Sequence, residues 1–179
     1  NLKFNMANKI KLPLGIIALL QDTPSKGPYH PEETVLDHIQ IMADRFSNST
    51  QTVRAKLGLT WGDIKVVEQS ILYHDLGKID TVKWNEKTNG YSFYGHERYS
   101  LNRMKDLNAI NPIPHYDRVR WIVSNHIRIH ALTKGQMKNP FKIDKLKSNP
   151  DFKLLNWFEK LDDMILNYED WANSLKEES

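Results

Sequence analysis

Apolar residues recur at three- and four-residue steps through most of this chain. In "EETVLDHIQIMADRF" they fall at Val35, Ile39, Met42 and Phe46, the stripe of an amphipathic helix. Thr60, with Asp63 three residues on, resembles a capping box with Asp in place of Glu. The helix it opens carries Ile64, Val67, Ile71 and Leu72 and ends near His74 and Asp75, with Gly77 as the predicted stop. "HERYSLNRMKDL" reads as a helix that "NPIP" ends. "HYDRVRWIVSNHIRIH" repeats the pattern at Val119, Ile122, His126 and Ile129. "FKLLNWFEKLDDMILNYEDW" predicts one last helix with Leu154, Phe158, Leu161, Ile165 and Tyr168 on one face. Only "TVKWNEKTNGYSFYG" breaks the helical period. There two β-leaning runs flank "NEKTNG", a hairpin signal near residues 81–94. Residues 131–150, with five lysines and one acid, read as loop. The sum is an all-α bundle with at most a small β-hairpin.

At 179 residues the chain suits one domain with a real core, expected over residues 14–175 behind an N-terminal extension of residues 1–13. The chain begins on Asn1, and Met6 is a candidate natural start, with residues 1–5 a remnant. There are no cysteines, so disulfides and thiolate metal sites are excluded. The longest apolar run, "LGIIALL" from Leu14, is far shorter than the ~20 residues a membrane helix needs. "LLQDTPSKG" makes a poor signal-peptide cleavage site, and a cytoplasmic protein is expected. A net charge of +3 is mild. It does not suit a dedicated DNA reader or an accessory RNA-binding subunit.

Candidate chemistry lies in the histidines. His30 and His115 sit beside prolines in turns, and a surface role accounts for both. The other five fall in helical patterns. His38 neighbours an apolar face, His74 and Asp75 close a helix, His96 opens one, and His126 and His130 share a face. Asp162 lies against the apolar stripe of the last helix, where a carboxylate is costly unless paired or coordinated. A divalent ion resolves this pattern, since imidazole and carboxylate suit Mn, Fe, Co, Ni, Zn or Mg and helical bundles build such sites from several helices. Such an ion brings a bound water toward neutral pKa, and Lys78 just beyond can hold a phosphate oxygen.

His38, then His74-Asp75 in "HDLGK", then Asp162 resembles the HD superfamily of metal-dependent phosphohydrolases. "YHPEETVLDH", "YHDLGKIDTVKWNEKTNGYSFYGHE" and "VSNHIRIH" look most like the HD domain attached to bacterial CCA-adding tRNA nucleotidyltransferases and poly(A) polymerases. The likeness runs over roughly residues 14–168. The nucleotidyltransferase signature of Gly-Ser and paired Asp is not found, so a free-standing phosphohydrolase unit is expected.

The resemblance implies His38, His74, Asp75 and Asp162 as ligands of a first ion, with Asp162 favoured over Asp163 because it follows an apolar residue as the family's Asp does. His96 and His126 match histidines that hold a second ion in some HD enzymes, so one or two ions are implied. It implies activity on a nucleotide or RNA 3′-end phosphoester, as a 2′,3′-cyclic phosphodiesterase, 2′-nucleotidase or phosphatase. In that reading Asp75 and Lys78 are catalytic, and Lys78, Arg128 and His130 contact substrate. Alternatives are a 5′-nucleotidase or deoxynucleoside triphosphohydrolase, and a nucleotide-sensing HD module without turnover.

Overall fold

The structure is a computed structural model that describes residues 10–177. Met6 and residues 1–5 lie outside the described residues. Helix α1 spans Leu14–Asp22, α2 Val35–Leu57, α3 Trp61–Tyr73 and α4 Lys78–Thr81. Strands β1, Lys83–Asn85, and β2, Gly90–Ser92, follow. Then come α5 His96–Ile110, α6 Tyr116–Thr133, α7 Pro140–Lys147, α8 Phe152–Asp162 and α9 Tyr168–Glu177. The strands pair antiparallel, with Trp84 opposite Tyr91. This is the all-α bundle with one small hairpin that the periodicities predict. Among the described residues no helix is long and apolar enough to cross a membrane.

Local signals set the boundaries. Thr34 and Asp37 cap α2 reciprocally, each amide bonding the other's side chain at 3.2 Å. Thr60 and Asp63 do the same for α3, which satisfies amide groups that a helix start leaves unpaired. Gly58 ends α2 in the left-handed region at φ 62°, where a side chain would be strained.

Helix α8 is the centre of the bundle and packs against α2, α3 and α6. Its Leu154, Leu155, Trp157 and Phe158 are fully buried, against Ile39 and Met42 of α2, Ile71 of α3 and Ile122 and Ile129 of α6 within one core. Each such side chain contributes about 1.5–3 kcal/mol on leaving water. Trp157 stacks on Phe46 at 5.5 Å. Ile10 and Leu12 are also buried in this core, so residues 10–13 pack on the domain.

Two elements differ from expectation. Residues 131–150 are not all loop: Asn139 caps α7 through Lys142 N, with Pro140 at its first position. Only Leu146 of that helix is buried, so the sequence shows no stripe. The expected last helix breaks after Asp162, and Ile165 is 75 % exposed. Arg45 of α2 explains the break. Its guanidinium donates to the Leu161 and Asp163 carbonyls at 3.1 and 2.9 Å, which takes up helix-end acceptors from outside the segment. Asp162 therefore becomes the terminal residue of α8, and the chain turns away behind it.

Candidate metal centre

Helix α3 delivers His74 at its C-terminal cap, still in helical conformation. The chain then makes a tight turn, with Lys78 N bonded to Asp75 O at 3.1 Å. Ser100 of α5 secures this turn twice: its hydroxyl donates to His74 O and accepts from Gly77 N, both at 2.8 Å. Gly77 is not the left-handed stop the sequence predicts; its φ is −67°. It is glycine because α5 lies against it. A Cβ there would meet His96 O at 1.9 Å and Ser100 N at 2.5 Å. The missing side chain brings "HD" and the start of α5 together.

Four imidazoles use Nδ1 in the same way. His74 Nδ1 donates to Ile71 O at 2.9 Å, His96 Nδ1 to Phe93 O at 3.0 Å, and His126 Nδ1 to Val123 O. His38 Nδ1 donates to Glu32 Oε1 at 2.8 Å. A carbonyl can only accept, so each of those Nδ1 atoms carries the hydrogen. Burial pushes the Glu32 carboxyl up, but bonds from His30 and His38 outweigh this and hold it well below the usual range, so it too accepts. With Nδ1 so engaged, Nε2 is the atom that each ring turns toward the cluster, oriented by its partner as metal-binding histidines are.

The four Nε2 atoms converge on two carboxylates. Asp75 Oδ2 lies 3.2 Å from His74 Nε2 and 3.7 Å from His38 Nε2, and Oδ1 lies 3.2 Å from His96 Nε2 and 3.9 Å from His126 Nε2. Asp162 Oδ1 lies 2.7 Å from His38 Nε2 and 3.5 Å from His74 Nε2. Two groups that could hold a metal ion, His38–His74–Asp75 and Asp75–His96–His126, share Asp75, and a third, His30–Glu32–His38, adjoins them through His38. All five residues of the first two groups are buried.

This donor set could hold a metal ion. His74 Nε2 and Asp75 Oδ2 are buried without a hydrogen-bond partner, which is costly for atoms of this kind. The set is nitrogen and oxygen only, suited to first-row divalent metals. Burial opposes charge on His74, yet Asp75 and Asp162 outweigh it and push the imidazole up to about 10. Burial likewise works against ionised Asp75 and Asp162, but the neighbouring His74 and Lys78, and His130, respectively hold both well below the ordinary carboxylate range. Both carboxylates are thus anionic, and they draw positive charge to His74 Nε2, as a proton or as a bound cation.

The remaining sequence candidates fall in different places. Lys78 is buried, its Nζ 2.9 Å from Asp75 Oδ2 as an ion pair without hydrogen-bond alignment, and 4.8 Å over the Phe93 ring. His130 Nε2 donates to Asp162 Oδ2, and its Nδ1 lies 3.5 Å from Glu159. His130 thereby holds the second oxygen of Asp162. Arg128 is exposed and donates to Asn125 Oδ1 at 2.9 Å; it does not line the cavity over the centre. Asp163 uses Oδ1 to accept from the Ile165 and Leu166 amides, so it shapes the turn after α8.

Two residues of the site escape the sequence pattern. His30 is not a surface histidine: its ring stands edge-on to His38 at 5.2 Å and lines the cavity. Glu32 is 5 % exposed and lies between both histidines. Neither belongs to a periodic element; "HPEE" before a helix carrying His38 is the only signal.

A cavity of about 430 Å³ opens above the cluster. Asp75, Lys78, His96, His126 and Asp162 line it, together with Tyr29, Ile127, Lys134 and Ile165. No protein-family model, curated protein or solved structure matches the chain.

Proposed function

We propose that this chain is an HD-type metal-dependent phosphohydrolase acting on a nucleotide or RNA-end phosphoester, as a 2′,3′-cyclic phosphodiesterase, 2′-nucleotidase or phosphatase. The observation that carries this reading is the convergence of four oriented Nε2 atoms on Asp75 and Asp162 at the base of an open cavity, with a buried lysine beside them. His38, His74, Asp75 and Asp162 would hold one ion, and His96 and His126 a second that shares Asp75. When bound, such ions act as Lewis acids and bring a coordinated water toward neutral pKa.

The chain's own groups supply the rest. Lys78 offers a fixed cation to the phosphoryl oxygens as negative charge develops on them. Asp75 orients the attacking water and accepts its proton. Glu32 and His130 act through other residues: Glu32 fixes the ring of His38, and His130 fixes the carboxylate of Asp162. The buried cluster keeps these groups at set distances, which lowers the cost of aligning them during reaction.

The test is phosphate release. Metal-stripped protein receives Mn, Ni, Co or Mg in turn and is offered 2′,3′-cyclic AMP, 2′-, 3′- and 5′-nucleotides and deoxynucleoside triphosphates. We expect metal-dependent turnover that is lost in a His74→Ala, Asp75→Ala protein. Nucleotide binding with no turnover under any metal contradicts the reading and leaves a sensing module.

A further inference from the structure

The cavity above the cluster has two chemically distinct ends. Its floor is charged and polar. Its mouth gathers Tyr29, Ile127, Met164 and Ile165, of which Tyr29 is 63 % and Ile165 75 % exposed. Large apolar side chains left in water around a polar site mark a surface that a ligand covers. Inorganic phosphate, or a phosphate on a small polar alcohol, would use the floor alone.

Tyr29 is held in place from below. Its turn is closed by Gly27 N to His30 O at 2.9 Å and His30 N to Gly27 O at 3.2 Å. Tyr91 N of β2 bonds Lys26 O at 3.3 Å. Gly27 and Gly90 pack so closely that a Cβ on Gly90 would lie 2.9 Å from Gly27 Cα. The hairpin therefore serves as a buttress for the tyrosine. Lys134, at the end of α6, reaches across the mouth to stand 5.0 Å from the Tyr29 ring centroid, and so leaves a cation beside that ring.

We propose that the mouth is a base-binding subsite, and that the cavity takes a single nucleoside phosphate with its planar base on Tyr29 and its phosphoryl group at Lys78 and the metal centre. This rests on the phosphohydrolase reading for the floor and adds the part of the ligand that floor does not recognise. The volume of about 430 Å³ falls in the roughly 300–1,000 Å³ range of small-molecule sites. Aromatic stacking accepts any base because every base has a π-face, so selectivity for nucleotide over plain phosphate ester should exceed selectivity among bases.

The experiment compares wild-type, Tyr29→Ala and Tyr29→Trp proteins, each loaded with Mn. The probes are 2′-, 3′- and 5′-AMP, the matching CMP isomers and glycerol 2-phosphate. The readout is KM for probes that turn over and Kd by calorimetry for those that do not. Wild-type protein should prefer its best nucleotide over glycerol 2-phosphate. Tyr29→Ala should cut that preference about tenfold, and Tyr29→Trp should restore it. A preference that is absent, or that Tyr29→Ala leaves unchanged, overturns the subsite. Tight Tyr29-dependent binding without turnover supports the subsite and sinks the phosphohydrolase reading instead. Turnover indifferent to Tyr29 does the reverse.

Discussion

His96 Nε2 and His126 Nε2 lie 2.9 Å apart, while each ring gives its Nδ1 hydrogen to a backbone carbonyl. Two lone pairs at that separation repel unless a proton or a cation stands with them. Burial holds the basicity of His126 well below the ordinary range, so its Nε2 keeps a lone pair that either a shared hydrogen or a cation can meet. Asp75 Oδ1, 3.2 Å from His96 Nε2, completes with both rings a donor set that could hold a metal ion. His74 Nε2, which faces the same carboxylate, is buried and without a hydrogen-bond partner.

Glu32 reaches this centre only through the His38 ring. Removing it leaves His38 Nδ1 without its 2.8 Å acceptor and frees the ring to turn. We expect Glu32→Ala to weaken metal affinity about 10- to 100-fold while the far-ultraviolet circular dichroism spectrum stays helical. Unchanged affinity in a metal titration would show that Glu32 does not orient a ligand.

Lys78 should separate metal binding from turnover. Lys78→Met keeps the side-chain volume against the Phe93 ring and removes the charge beside Asp75. We expect kcat to fall about 100- to 1,000-fold, the scale for losing one preorganised electrostatic group, with metal content retained on elemental analysis. Loss of the metal along with activity would place Lys78 in holding the site together.

Gly77 tests the packing that brings "HD" to α5. An alanine Cβ would sit 1.9 Å from His96 O, and backbone cannot yield as a flexible side chain can. We expect Gly77→Ala to destabilise the fold by about 3 kcal/mol in urea unfolding. A loss below about 0.5 kcal/mol would mean that the turn relaxes freely.

The bundle and most of the centre were legible because they follow from period and from spacing along single helices. Val35, Ile39, Met42 and Phe46 mark α2, and Thr60 with Asp63 marks the start of α3. His38, His74-Asp75, His96, His126 and Asp162 each stand at a definable place on such an element. What stayed hidden depends on contacts between distant segments. Arg45 breaks the last helix from 116 residues away. Glu32 and His30 act from a turn with no period. Gly77 looks like a helix stop in sequence, and only the approach of α5 reveals its steric role. Arg128 follows a histidine-bearing stretch yet turns to Asn125, since helix position alone does not fix where a long side chain goes.

Asp63 offers a pH test remote from the cluster. Burial pushes its carboxyl up, but Arg118 at 2.6 Å and the Thr60 amide outweigh this and hold it below 3.8. A depressed folded-state pKa contributes stability that is present above the unfolded value and lost as pH falls through the folded one. Asp63→Asn keeps a capping oxygen and removes the charge. We expect wild type to exceed it by about 1 kcal/mol at pH 7, discounted for the partly exposed Arg118. The gap should close below the unfolded value of 3.8. A gap that persists undiminished in acid would contradict the ion pair.

The central claim is that the converging Nε2 atoms and carboxylates hold divalent metal. Its most direct test is a calorimetric titration of metal-stripped protein with Mn, repeated on His74→Ala and Asp75→Asn proteins. We expect one or two ions per chain in the wild type, a higher thermal midpoint on loading, and binding lost or severely weakened in both variants. A wild-type protein that takes up no divalent ion, or variants that bind as tightly as the wild type, would contradict it.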